Sequence, residues 1–185
     1  MRDESWQAFS ERVDYEDRLH VDCMALSEPM HEAEATALRE RNLNVLTTLT
    51  AFDERRSDAI EDETPLMQEL ARIDSKLNVL MAVVDRLLLP EVNLPARQPI
   101  RFNAVGALLP GALLPPGAAS ILLRIHFDAC RALPLELPAN ITAHRIDDMA
   151  FVAFETVGES VGEGLERLVF RHHRRKVAGA RQSAQ

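Results

Sequence analysis

Two arginines four residues apart, Arg97 and Arg101, are the side chains best suited to bind an anionic ligand. The planar fork of an arginine side chain hydrogen-bonds phosphate in pairs and stacks on bases. Asn103 and Gly106 follow in the stretch RFNAVG, where the glycine indicates a bulge or a close backbone approach. A second interpretation is that both arginines are solvated or paired with acidic residues of the N-terminal segment.

Catalytic and metal-binding patterns are absent from the sequence. The pair His172–His173 lacks the i, i+4 spacing and the acidic or thiol companions of a metal site. Cys23 and Cys130 fit no metal or redox spacing. There is no G-x-S-x-G motif, no P-loop and no paired-carboxylate motif. We therefore expect no enzyme activity, no metal and no cofactor.

Composition restricts the function further. Hydrophobic residues make up 46% of the 185 residues and charged residues 27%, which is ordinary for a soluble globular protein. No basic-then-apolar leader and no long apolar run is present, so we expect a cytoplasmic protein without membrane insertion. A net charge of −8 argues against nucleic-acid binding by the whole chain.

Charge is distributed unevenly between the two ends of the chain. Residues 1–29 are acidic, and Trp6, Phe9 and Val13 are spaced as on a helix, which favours a short docked helix or a partly ordered tail. The C-terminal end is basic, and cations there complement the dipole of a terminal helix.

The elements that could position these residues include a long heptad repeat. Its apolar residues recur with alternating steps of four and three over about three heptads. We call them the seam residues: Leu66, Leu70, Ile73, Leu77, Leu80, Val84 and Leu87. Apolar residues at neighbouring e and g positions widen the stripe, which indicates more than one covering helix. The pattern predicts either a bundle between subunits or a core helix packed on its own domain.

The same register extends upstream through residues 31–62, which contain neither glycine nor proline. Its apolar positions there are Leu38, Val45, Leu49 and Phe52. Asn42 falls at an a position, where a polar residue can fix register or partner number. Pro65 interrupts helical hydrogen bonding, so residues 31–89 form either one kinked helix or two helices with a break near 62–64.

The second half of the chain has the pattern of short strands. Residues 90–100 are proline-rich and indicate a linker. Predicted strands then cover residues 100–103, 105–109, 120–127, 133–144 and 149–155, with a hairpin turn at 146–148 and a terminal helix after Gly158. About five short strands suit a small barrel better than a sandwich.

The stretch Arg101–Gly106, leading into an apolar strand, resembles the second motif of PilZ domains, D/N-x-S-x-x-G. The order of elements over about residues 97–175 is similar as well: SILLRIHF, a strand ending at ITAHR, an acidic turn, MAFVAFE and a helix. The long heptad helix resembles a branch of PilZ proteins that tetramerise through such helices. The resemblance implies a small barrel that binds cyclic di-GMP through an upstream R-x-x-x-R pair and the second motif.

The sequence departs from that pattern at the residues that would contact the nucleotide. Arg101 stands where Asp or Asn is expected, Asn103 stands where Ser is expected, and only Gly106 is retained. Arg97 and Arg101 have the R-x-x-x-R spacing, but Arg101 already occupies the second motif. We therefore expect a degraded site that does not bind cyclic di-GMP. The alternative is a true receptor that uses Arg97 and Arg101, or arginines from a neighbouring subunit.

The predicted fold is α+β: a small antiparallel PilZ-like β-barrel with a C-terminal helix, preceded by long heptad-repeat helices that form an oligomeric bundle. The expected regions are an acidic segment (1–29), a helical oligomerisation region (30–90), the barrel with its closing helix (97–176) and a basic tail (177–185). The expected function is that of a non-catalytic homotetrameric adaptor, which acts through an unidentified protein partner in motility, biofilm or virulence control.

Overall fold

A computed structural model describes residues 4–54, 94–155 and 157–182, together with ten single positions between residues 70 and 87. The first described elements are helix α1 (Glu4–Ser10), strand β1 (Tyr15–Leu26) and helix α2 (Glu32–Glu54). The later ones are β2 (Arg97–Phe102), β3 (Gly106–Pro110), a short 3-10 helix (Gly111–Leu113), β4 (Ser120–Phe127), β5 (Cys130–Ile146), β6 (Met149–Phe154) and the terminal helix α3 (Glu159–Gln182).

The strands of the described residues close into an antiparallel barrel in the order β1-β2-β3-β6-β5-β4. Alternation along β4 directs Ile121, Leu123 and Ile125 into the interior, where they are fully buried. The β5–β6 hairpin turns at residues 147 and 148, and Asp147 has the positive φ of 52° that Asp tolerates in a tight turn. The predicted small antiparallel barrel, with its strand at 120–127 and its acidic turn, is confirmed.

Helices α2 and α3 pack on the barrel and on each other. Leu46 of α2 contacts α3 at Gly164, where a Cβ would lie 2.8 Å from the leucine Cδ1. Farther along, the Thr50 carbonyl accepts a hydrogen bond from Arg171 Nη1 at 3.2 Å. The two helices therefore run parallel. Their apolar faces join the barrel interior in one hydrophobic cluster.

The heptad register of α2 serves the interior of this chain. Leu38, Val45 and Leu49 are buried, and the last two belong to the main core cluster. Asn42 is also buried, and its Nδ2 donates to the Glu136 carbonyl at 2.7 Å while its Oδ1 accepts from the Glu136 N–H at 2.9 Å. Residues 32–54 are thus a core element packed on β5. The barrel itself covers the apolar face of this helix, and the oligomerisation region at 30–90 stays a prediction.

The N-terminal segment also differs from its prediction. Residues 15–26, expected in a short helix or a partly ordered tail, form β1 and close the barrel between β2 and β4. A strand at this place satisfies backbone groups of two neighbours that would otherwise be open edges. The short docked helix is confirmed at Glu4–Ser10, and it carries Trp6 and Phe9.

Two boundaries shift by a few residues. The predicted linker is shorter because β2 already begins at Arg97. Helix α3 continues to Gln182, so residues 177–182, predicted as a tail, are helical. The choice between one kinked helix and two helices depends on residues 62–65, which lie outside the described residues.

Candidate functional site

Arg97 and Arg101 lie on β2 and both are exposed, but each is bound to a carboxylate of the same chain. Arg97 Nη2 donates to Asp128 Oδ1 at 2.5 Å, and its Nη1 donates to the Arg18 carbonyl at 3.0 Å. Arg101 donates from Nε at 2.8 Å and from Nη2 at 2.5 Å to the same Asp14 oxygen. Carboxylates thus occupy the guanidinium edges that would face a phosphate. The second interpretation, pairing with the N-terminal segment, is confirmed for Arg101.

Asn103 is buried under α1, where its side chain hydrogen-bonds the backbone on both sides. Its Nδ2 donates to the carbonyl of Phe9 at 3.1 Å, and its Oδ1 accepts the Val105 N–H at 2.9 Å. Its own N–H donates to the Gly106 carbonyl at 3.1 Å. This Asx turn joins β2 to β3 and simultaneously holds the end of α1. Both ends of the amide therefore have a partner within the chain.

Gly106 is explained by close packing. A Cβ at this position would clash with the Val152 carbonyl and would lie 2.7 Å from the ring of Phe151. Strands β3 and β6 pair here, with Gly106 opposite Ala153. The expected close backbone approach is confirmed. The residues of the predicted degenerate nucleotide motif are therefore close in sequence but are held by separate contacts.

A polar cluster next to Arg101 was missed by sequence reasoning. Lys176 of α3 donates to Glu16 of β1 at 2.6 Å, and this bond, together with the lysine charge, lowers the pKa of the Glu16 carboxyl. His172 stacks on Tyr15 with ring centroids 3.7 Å apart, and its Nε2 donates to the Glu16 carbonyl at 3.1 Å. Burial is the main cause of a lowered pKa of His172.

This cluster lines a cavity of about 360 Å³. Its position could not be read from spacing, because it joins residues more than 150 positions apart. The only available signal was the partial alternation of apolar residues in 15–26, which indicates a strand.

A larger cleft of about 600 Å³ lies between the α1–β1 connection, the Asn103 turn and α3. Val13 and Phe170 line it with 48% and 58% of their surface exposed. Arg12 crosses its rim and donates to Glu166 at 3.2 Å. An apolar floor with a charged rim suits a protein or peptide contact, and the two carboxylates at the rim, Glu166 and Glu163, are exposed and paired with Arg12 and Arg167.

The seam residues within the described part of the chain adopt helical geometry and are exposed. Between 42% and 76% of the surface of each is accessible to solvent, from Val84 to Leu87. Leu66 lies outside the described residues. Isolated exposed apolar side chains are common, but a continuous row at heptad spacing is the kind of surface that another helix covers.

Two further findings concern the described residues only. No group of three or more His, Cys, Asp or Glu side chains in this part of the chain is arranged to hold a metal ion. None of its helices combines the length and the apolar character needed to cross a bilayer.

The barrel, its closing helix and the turn at Gly106 agree with one known family. Residues 46–182 match the sequence profile described as "Atypical PilZ domain, cyclic di-GMP receptor". The chain belongs to the atypical PilZ domain family. The predicted resemblance is confirmed, and the family description names a receptor and no catalytic activity.

A solved structure of a similar fold is a pathogenic protein from Xanthomonas campestris, described as a new tetrameric PilZ domain self-assembled via an unusual helical bundle. Our chain and the Xanthomonas protein share 23% sequence identity and superimpose with a TM-score of 0.69. The match covers 96% of our chain and 97% of the Xanthomonas chain. At this identity the similarity concerns the fold. No match is found among curated proteins.

Proposed function

We propose that this protein is a cytoplasmic, non-catalytic signalling adaptor that assembles as a homotetramer through its seam residues. In this proposal it does not bind cyclic di-GMP and acts through protein partners in motility, biofilm or virulence control. The pathway comes from the resemblance to PilZ proteins. The observation that carries the assembly is the exposed row of seam residues, and the tetrameric Xanthomonas protein of similar fold supports it. Presenting several copies of one barrel would raise the avidity for a partner without new contacts.

The ion pairs of both arginines support the absence of nucleotide binding. A ligand phosphate would have to displace Asp14 from Arg101 and Asp128 from Arg97, and it would approach two uncompensated carboxylates. The Asn103 amide donates to the Phe9 carbonyl and accepts from the Val105 N–H. These intramolecular contacts support the proposal that the site does not bind the nucleotide.

Assembly is tested by sedimentation equilibrium of the wild type and of a Leu77→Glu variant. A charge in the seam would be buried between subunits, so we expect the variant to sediment at a mass below that of the tetramer. Val79→Glu is the matched control, because this exposed valine lies on the same helix outside the seam. An Ile73→Glu/Leu77→Glu variant that sediments at the wild-type mass would refute assembly through this face.

The second candidate is a true cyclic di-GMP receptor, which the family description favours. Calorimetric titration of the purified protein with cyclic di-GMP separates the two. No heat and an unchanged mass agree with the adaptor. Saturable binding that Arg97→Ala or Arg101→Ala weakens would replace the adaptor by the receptor.

A further inference from the structure

Helix α1 lies in a groove on the outside of the barrel, formed by β3, β6 and the Asn103 turn. Phe9 is fully buried there and forms a small cluster with Leu108 and Phe151, separate from the main core. Trp6 stacks on His144 at a ring distance of 3.9 Å and meets the edge of Phe151 at 5.3 Å. The barrel closes without α1, so these aromatic contacts hold a helix that the core does not require.

The polar contacts of this α1 groove bind one backbone carbonyl and one carboxylate of the N-terminal segment. The Asn103 amide donates to the Phe9 carbonyl, and the Arg101 guanidinium binds the Asp14 carboxylate that follows the helix. One contact recognises a backbone carbonyl, which any peptide supplies. The other recognises an acidic side chain five residues after the buried phenylalanine.

Helix α1 fills only part of the available surface. The neighbouring cleft of about 600 Å³ shares Asn103 with the α1 groove and continues along Ala104, Val169 and Phe170. Phe170 remains 58% exposed. A longer helix in the same position would cover this cleft as well, whose rim carries the ion pairs Arg12–Glu166 and Arg167–Glu163.

A helix of seven residues is not stable by itself in water, so α1 exists because of its packing. Such peripheral elements open at a lower free energy than the core. We propose that the α1 groove is the docking site for an acidic amphipathic helix of a partner protein, and that α1 occupies this site in the free protein. The inference rests on the proposed adaptor function and specifies where its partner binds. The partner helix carries an aromatic pair at i and i+3 and an acidic residue after it.

The first experiment adds the sequence of α1 to the protein as a separate peptide. The probe is a fluorescein-labelled peptide of residues 1–14, measured by fluorescence anisotropy against full-length wild type and a full-length Trp6→Ala/Phe9→Ala variant. We expect saturable binding to the variant and at least about tenfold weaker binding to the wild type, whose tethered α1 competes at a millimolar effective concentration. Against a variant that also carries Asp14→Ala, which removes the chain's own carboxylate from Arg101, a peptide with Asp14→Lys should bind less tightly than the unchanged peptide.

A further substitution locates the binding. Adding Asn103→Asp to the variant keeps the oxygen that accepts the Val105 N–H and removes the amide donor, so we expect about fivefold weaker peptide binding or more. Leu133→Ala is the matched control, because this side chain is exposed outside the cleft lining, and it should leave binding unchanged.

Several results would overturn the docking site. The first is that the peptide does not bind saturably to a variant that keeps the wild-type circular dichroism and mass. The second is that the peptide binds the wild type and the variant with equal affinity. The third is that Asn103→Asp leaves the affinity for the peptide unchanged. If the uncovered variant binds cyclic di-GMP and not the peptide, the groove is a nucleotide site and the inference fails. Cyclic di-GMP binding by the wild type would instead refute the proposed function, so the two failures are distinguishable.

The wild type gives an independent test if the variant does not fold. Trp6 is the only tryptophan of the chain, so its emission reports directly on α1. A peptide of residues 1–14 with Trp6→Phe should displace α1 and shift this emission to the red. An emission that the peptide leaves unchanged up to millimolar concentration would overturn the inference. Emission that depends on protein concentration would identify a second copy of the chain as the occupant and would also overturn it.

Discussion

Asn42 offers a direct test of what α2 packs against. The residues of β5 before Ala139 have no partner in β6. At this open edge, Asn42 binds both the N–H and the carbonyl of Glu136. In an Asn42→Leu variant these two partly buried backbone groups lose their partners, at about 1 to 3 kcal/mol each. Burial of the leucine side chain returns roughly 2 kcal/mol. We expect a net loss of about 2 kcal/mol in the free energy of unfolding, with an unchanged assembly mass.

The assay is urea denaturation followed by circular dichroism, with sedimentation equilibrium on the same samples. Asn44→Leu is the matched control, since Asn44 lies on the exposed face of α2, and its effect should stay within about 0.5 kcal/mol. If Asn42→Leu raised the stability and changed the mass, Asn42 would be a register-fixing residue of an intersubunit seam. The intramolecular packing of α2 would then be refuted.

Three further predictions follow from single positions. Gly106→Ala should lower the free energy of unfolding by about 1 to 3 kcal/mol, because its Cβ meets the Val152 carbonyl, whereas Gly162→Ala, with open space around it, should not lower it. Because burial lowers the pKa of His172, the folded protein binds fewer protons than the unfolded chain below the ordinary pKa of 6.5. The free energy of unfolding, measured by urea titration, should therefore decrease as the pH drops through that range. In a His172→Phe variant this decrease should be smaller. Burial, with the Asp22 charge as a second cause, raises the pKa of Cys23 to about 12, so iodoacetamide should label it far more slowly in the folded protein than in urea. A wild-type rate in the folded state equal to that in urea would contradict this last prediction.

Much of the barrel could be predicted because its signal is local. The alternation in Ser120–Phe127 depends only on which residues face the interior, and the acidic turn at residues 146–148 depends on residues that tolerate a positive φ. The closing helix after Gly158 is likewise visible in its 3.6-residue apolar period. These features need no knowledge of the neighbours.

The strand β1 and the packing of α2 were not predictable in this way. An acidic strand such as Tyr15–Leu26 resembles a solvated segment, because only its pairing with β2 and β4 gives its backbone a place in the barrel. A heptad stripe fixes that a helix has an apolar face but does not fix what covers it. The apolar face of α2 is covered by the barrel of the same chain. The seam residues described between 70 and 87 are exposed in the single chain.

Local sequence patterns indicated the small barrel and its closing helix, and the motif at Arg101–Gly106 with the order of elements indicated the family. What the motif residues contact depends on tertiary structure. Arg101 binds Asp14 and Asn103 holds Phe9, contacts across more than 80 residues that require the N-terminal segment to fold against the barrel. Spacing along the chain carries no information about such contacts, because they depend on where two distant elements meet in space.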